Sequence, residues 1–233
     1  MASRRLSELI NELPHVQRQW RQNGHLFVGE GMIYFKVNDE FEFRFKGYGA
    51  FNASNAFAAV AVAGYFNLDL HSLAESWRTL PVIQGRFRTE RLEAQNIVIV
   101  DDSYNANPVS FKQAVQSFVK LASGQRKLLV MGDMLELGEH AGIYHEDMGR
   151  YLAECGIDFL IGVGPMSQLA LRAFAKAERG GKTVHFKTAL EAGHFLVSQI
   201  QEGDAVLIKG SHGVHLEQVR PLLIQAIANA ISV

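Results

Sequence analysis

The sequence predicts an α/β protein built on a mostly parallel sheet, and two patterns carry the prediction. Short apolar runs recur at Ile97–Val100, Lys127–Met131, Phe159–Val163, Val184–Phe186 and Ala205–Lys209. Runs of this length, rich in β-branched residues, suit strands buried on both faces. Between them, and after the last, helix-like segments fit at about 109–122, 142–155, 166–178, 188–201 and 216–230. Such βα alternation predicts a Rossmann-like sheet covered on both faces by helices.

Ahead of that domain the pattern changes. In residues 1–27, Leu6, Leu9, Ile10 and Leu13 recur at helical spacing until Pro14 interrupts. Met32, Tyr34 and Lys36, then Phe41, Phe43 and Phe45, alternate around Asn38-Asp39, which predicts a β-hairpin with one apolar face. Asn55 to Phe66 reads as an alanine-rich helix, and Leu70 to Leu80 as a second one stopped by Pro81. Residues 82–95 read as the connection to the sheet domain.

Composition narrows the function classes. At 233 residues and 48% hydrophobic content, one large or two small cored domains fit. A net charge of −1 gives no electrostatic case for nucleic acid or an anionic membrane. Cys155 is the single cysteine, so no internal disulfide forms, which suits a reducing, cytoplasmic compartment. It lies in a helix-like run and reads as structural. Met1-Ala2-Ser3-Arg4-Arg5 is basic, but no apolar stretch follows as in a signal peptide. No segment approaches the ~20 apolar residues that cross a bilayer.

Chemistry concentrates where strands should end. Val98-Ile99-Val100 breaks into Asp101-Asp102-Ser103-Tyr104-Asn105-Ala106-Asn107-Pro108. In open α/β sheets the C-terminal strand ends line the ligand crevice. There Asp102 suits a ribose hydroxyl, and Asn107 suits a base edge or the fixing of its own loop. The competing reading is a polar turn that caps the next helix, with Pro108 in its first turn. Lys209-Gly210-Ser211 also follows an apolar strand, as a site for a carboxylate or developing negative charge, or as a surface turn. Gly162-Val163-Gly164-Pro165-Met166-Ser167 lacks the last glycine of a dinucleotide fingerprint and reads as a tight turn. His145-Glu146-Asp147 and His212/His215 lack the spacing of a metal site.

Four segments in order resemble the Mur ligases, the ATP-dependent enzymes that build the peptidoglycan stem peptide. Asn52-Ala53-Ser54-Asn55-Ala56-Phe57-Ala58-Ala59 is similar to the end of their central ATPase domain. Asp102-Ser103-Tyr104-Asn105-Ala106-Asn107-Pro108 resembles the signature of their C-terminal domain. Its form is that of members adding D-alanyl-D-alanine. Gly132-Asp133-Met134-Leu135-Glu136-Leu137-Gly138, and Lys209-Gly210-Ser211 with Glu217, resemble two later motifs.

The resemblance implies a layout of unplaced leader (1–27), central-domain remnant and linker (28–94), and C-terminal Rossmann-like domain (95–233). It implies ligation of D-Ala-D-Ala to UDP-MurNAc-tripeptide, with ATP and Mg²⁺. Asn52, Asn55, Arg86, Asp102 and Asn107 would meet nucleotide, and Lys209, Ser211 and Asn105 the peptide substrate. Lys209 and Arg86 would be the catalytic cations. Phe51 stands where the family commonly has histidine, and His212 where it has a stronger base.

A nucleotide-hydrolysing domain needs a Gly-rich loop between strand and helix. Gly181-Lys182-Thr183 has Lys176 at the place of the first glycine and lies between a helix and a strand, in reversed order. The chain is therefore expected to be the C-terminal part of such a ligase, incomplete alone and open to self-association or a complementary N-terminal fragment. The alternatives are a binding module for a small ligand or protein, and a decay product of a truncated gene.

Overall fold

The computed structural model describes residues 27–29, 31–37 and 40–231. The hairpin turn at Asn38-Asp39 and the apolar spacing from Leu6 to Leu13 lie outside them. The chain divides into two compact units, one ending at Val82 and one beginning at Ile83.

The first unit carries an antiparallel sheet of β1 (Phe27–Gly29), β2 (Met32–Val37) and β3 (Phe41–Lys46), followed by α1 (Ala50–Tyr65) and α2 (Leu70–Trp77). The expected hairpin is present, with β1 as a third strand. The buried face of β2 is the opposite of the one expected. Ile33, Phe35 and Val37 enter the core while Met32, Tyr34 and Lys36 are only half-buried. Both phases of the strand contain apolar residues. Ile-Phe-Val offers more apolar surface than Met-Tyr-Lys, and a strand must bury one phase as a set.

Phe35 lies opposite Phe43 and stacks on it at 5.3 Å, while the Trp77 ring meets Phe43 at 5.0 Å and Phe45 at 5.5 Å. Ala53, Ala56, Val60 and Ala63 of α1 close this core. Helix α1 begins five residues before Asn55, from a Gly49 cap. Helix α2 starts on Asp69, whose carboxylate accepts from the backbone N–H groups of His71 and Ser72.

The second unit is a six-stranded sheet. In chain order it runs β4 (Arg88–Leu92), β5 (Ile97–Asp102), α3 (Pro108–Leu121), β6 (Arg126–Gly132), α4 (Ala141–Glu154) and β7 (Phe159–Val163). It continues with α5 (Ser167–Lys176), β8 (Lys182–Phe186), α6 (Ala189–Gln199), β9 (Asp204–Lys209) and α7 (Val219–Ile231). In space the strand order is β4-β5-β9-β6-β7-β8. All neighbours are parallel except β4, which pairs antiparallel with β5. Strand β4 falls in the stretch expected to be a connection. Arg-Thr-Glu-Arg-Leu shows no apolar alternation because this edge strand is held by backbone pairing and by the Glu90–Arg220 ion pair.

Alternate strand residues face opposite layers. Ile97, Ile99, Leu128, Val130, Ile161, Val206 and Ile208 pack with Ala192 and Leu196 of α6 and Val219 and Leu223 of α7. The other phase, including Val98, Val100, Met131 and Leu207, is buried on the side of α3, α4 and α5. The chain therefore leaves β5 and β6 toward one layer and leaves β9, between them, toward the other. That divergence makes the C-terminal ends of these three strands the topological switch point of the sheet.

Candidate functional site

Strands β5 and β9 run in parallel with Asp102 and Lys209 as register partners at their last residues. Both side chains point to the α3 side. The Lys209 ammonium donates to Asp102 Oδ2 at 2.5 Å and to the Asn105 carbonyl at 3.0 Å, and lies 5.6 Å from the Phe111 ring centre. Lys209 is 1% exposed. Burial pushes the Asp102 carboxyl up from its ordinary value and the Lys209 ammonium down, and their mutual attraction opposes both shifts. Lys209, expected to meet a substrate carboxylate, is thus engaged within the fold. Asp102, expected at a ribose, is its partner.

The second oxygen of Asp102 accepts from the backbone N–H of Phe87 at 3.0 Å. Phe87 follows Arg86, whose guanidinium lies 4.1 Å over the Tyr104 ring. Tyr104 in turn stacks on His212 at 5.6 Å and 29°. Arg86 is exposed and, among the described residues, stands in no ion pair. It is the cation at this rim with its charge turned to solvent.

The loop after β5 is pinned from several sides. Asp101 Oδ1 accepts from the Ser103 hydroxyl at 2.6 Å and from its N–H at 3.2 Å. Asn105 Oδ1 accepts from the next backbone N–H, of Ala106, at 2.8 Å. Asn107 is the N-cap of α3: its Oδ1 accepts from Ser110 N–H at 2.8 Å, and Ser110 Oγ accepts from Asn107 N–H at 3.1 Å. Of the two readings left open for Asn107, the structure displays the fixing of its own loop. Ser211 joins three loops, accepting at Oγ from Leu135 N–H at 3.0 Å, donating from Oγ to the Ala106 carbonyl at 3.4 Å, and donating its N–H to the Asp133 carbonyl at 3.0 Å.

Two residues named in the sequence, Asp133 and His145, have structural roles that the sequence reading did not assign. Asp133 is buried, and its carboxylate accepts from Ser167 N–H at 2.7 Å and Met166 N–H at 3.1 Å at the start of α5. The turn at Gly164 wraps so closely that a Cβ there would sit 2.7 Å from that carboxylate. His145, buried completely, donates from Nδ1 to the Ala141 carbonyl at 2.7 Å and accepts at Nε2 from Met134 N–H at 3.0 Å. A carboxylate between the β6 and β7 ends was the available signal for Asp133. For His145 only the fold supplies one. Gly181-Lys182-Thr183 lies where expected, from the turn after α5 into β8.

Asn52 and Asn55 belong to the other unit. Asn52 Nδ2 donates to the Tyr48 carbonyl at 2.8 Å and Asn55 is exposed. The helix cap there is Gly49, and Asn52 lies in the first turn of α1.

Residues 85–212 match the family model described as Mur ligase, glutamate ligase domain. The chain belongs to the Mur ligase family. Among curated relatives, the UDP-N-acetylmuramoyl-tripeptide–D-alanyl-D-alanine ligase of Bacillus subtilis is 29% identical over 178 residues, covering 76% of this chain and 39% of that protein. The Escherichia coli enzyme of the same name is 33% identical, covering 73% of this chain and 36% of that protein. A crystal structure of MurF from Acinetobacter baumannii superposes with a TM-score of 0.71 at 30% identity, over 86% of this chain and 44% of that one. This Mur ligase chain therefore spans less than half the length of each of these three relatives. Among its described residues no helix is long and apolar enough to cross a membrane.

Proposed function

We propose that this chain supplies the C-terminal part of a ligase that joins D-alanyl-D-alanine to UDP-MurNAc-tripeptide at the expense of ATP. The observation that carries the reading is the gathering of Arg86, Asp102 and Lys209 at one switch-point rim, in a chain whose curated relatives carry that activity in their names. In this chemistry ATP converts the tripeptide carboxylate into an acyl phosphate, and the dipeptide amine then displaces phosphate. Arg86 fits a phosphoryl group: it is exposed, and its planar fork pairs with phosphate oxygens. Asn52 and Asn55 supply donors and acceptors suited to an adenine edge. Asn105 and Ser211 would line the dipeptide side.

The rim does not fit a magnesium ion. Both Asp102 oxygens and both Asp133 oxygens accept hydrogen bonds from the protein, and no group of three metal-binding side chains occurs among the described residues. We assign this chain no metal step.

The test is to join the chain to the UDP-sugar and phosphate-loop domains of the Bacillus subtilis relative and assay phosphate release. Release that requires both D-Ala-D-Ala and UDP-MurNAc-tripeptide supports the reading. A well-folded chimera that binds ligands without ligation favours the binding-module alternative. Co-purification of the present chain with those domains as a separate polypeptide would support assembly from fragments.

A further inference from the structure

We propose that Asp102 and Lys209 are positioning residues whose task is to present Arg86. The inference rests on the reading of Arg86 as a phosphate ligand and concerns how that arginine is held. The turn Gly85-Arg86-Phe87 is unusual: Gly85 has φ +67° and Phe87 has φ +55°. A left-handed backbone is strained for a bulky aromatic residue, so the surroundings must hold it there. Three contacts do so. The Phe87 ring is buried, its N–H is held by Asp102 Oδ1 at 3.0 Å, and Tyr104 N–H donates to the Gly85 carbonyl at 3.1 Å. A side chain at Gly85 would press on the Tyr104 backbone nitrogen at 3.1 Å, so the turn and the loop after β5 are seated face to face.

The Asp102 carboxylate is fixed from behind by Lys209, which also grips the same loop through the Asn105 carbonyl. One buried ion pair therefore clamps both supports of Arg86: the turn that carries it and the loop bearing Tyr104, on whose ring it lies at 4.1 Å. The backbone clamp sets where the guanidinium starts, and the ring sets how it lies. Neither Asp102 nor Lys209 needs to touch a ligand for this, which agrees with their burial.

The test uses the whole chain in solution. The Arg86 side-chain resonances carry a ring-current shift from Tyr104, and Tyr104→Leu defines their unstacked positions. Asp102→Ala and Lys209→Met are expected to move them at least halfway to those positions, while the amides of β7 and β8 stay in place. Asp102→Asn keeps an Oδ1 acceptor for Phe87 N–H and should remain nearer wild type. Unmoved Arg86 resonances in the folded variants overturn the proposal. The wild-type chain gives a second measurement: the Phe87 amide should exchange about tenfold or more slowly than that of Gln84. Equal exchange rates overturn the clamp.

Inorganic pyrophosphate separates this from the reading beneath it. A response of Arg86 that weakens about tenfold in Asp102→Ala supports both. Wild-type Arg86 resonances that ignore pyrophosphate but lose their stack in Asp102→Ala retain the clamp and remove the phosphate role.

Discussion

Lys209 lies 107 residues beyond Asp102 in the chain, yet the two end adjacent parallel strands in register and their charged groups meet inside the fold at 2.5 Å. A buried pair of this kind is costly to break from one side, because the survivor keeps its desolvation cost without its partner. Asp102→Ala and Lys209→Met should each lower stability by about 3–5 kcal/mol. The double variant should lose clearly less than the sum of the two. Urea unfolding of the four proteins in this cycle measures the coupling, and additive losses would show the contact to be incidental.

The same pair sets a pH dependence. Lys209→Met removes the attraction and hydrogen bond that oppose burial at Asp102, so the carboxyl rises further. The folded variant then keeps a proton that the unfolded chain releases near about pH 4. Its stability is fullest below that unfolded value and falls as pH rises through the folded one. The deficit against wild type should therefore be larger at neutral pH than in mild acid. A deficit that shrinks as pH rises would contradict this sign.

Asn107 caps α3 through its side-chain oxygen. Asn107→Ala should cost about 0.5–2 kcal/mol, and Asn107→Asp much less, because aspartate offers the same acceptor. Thermal unfolding distinguishes them, and equal midpoints for wild type and Asn107→Ala would deny the cap a role in stability.

Helices α4 and α5 approach closely at Gly149, where a Cβ would lie 2.1 Å from the Ala170 carbonyl oxygen. Backbone cannot yield there as a flexible side chain would. Gly149→Ala should destabilise by about 1–3 kcal/mol, although alanine is the better helix former in isolation. A rise in melting temperature would mean the two helices separate freely.

By itself the chain should release no phosphate from ATP, since its sequence contains no phosphate-cradling Gly-rich loop. Adenosine contacts alone leave binding at about millimolar or weaker. Micromolar binding by calorimetry, or steady hydrolysis, would refute this.

The parallel strands were legible as short apolar runs, fully buried in β5, β7 and β9 and only half-buried in the edge strand β8, and β5 through β9 lie within two residues of their expected ends. Strand β4 was hidden because an edge strand with polar side chains leaves no apolar trace. The face of β2 was misread because Met32 and Tyr34 compete with Ile33, Phe35 and Val37 in one short segment. At the site, Asp102 and Lys209 were visible as polar residues at strand ends, and Asn107 as a cap ahead of Pro108. Their partners were not, since strand order alone determines that β9 lies beside β5. The structure also shows Lys209 facing inward, and no local pattern distinguishes a buried lysine after an apolar strand from an exposed one.

The position of β9 also bears on how the protein is made. The last strand of the chain is inserted between β5 and β6, which pair with it and not with each other. Until residues 204–209 leave the ribosome, the centre of the sheet is missing and two apolar strand edges stand open. The sheet must close late, by long-range pairing that is slow and exposed to aggregation. The arrival of that one strand completes the sheet and delivers Lys209 to Asp102 in a single event, so this rim acquires its final geometry when the fold does.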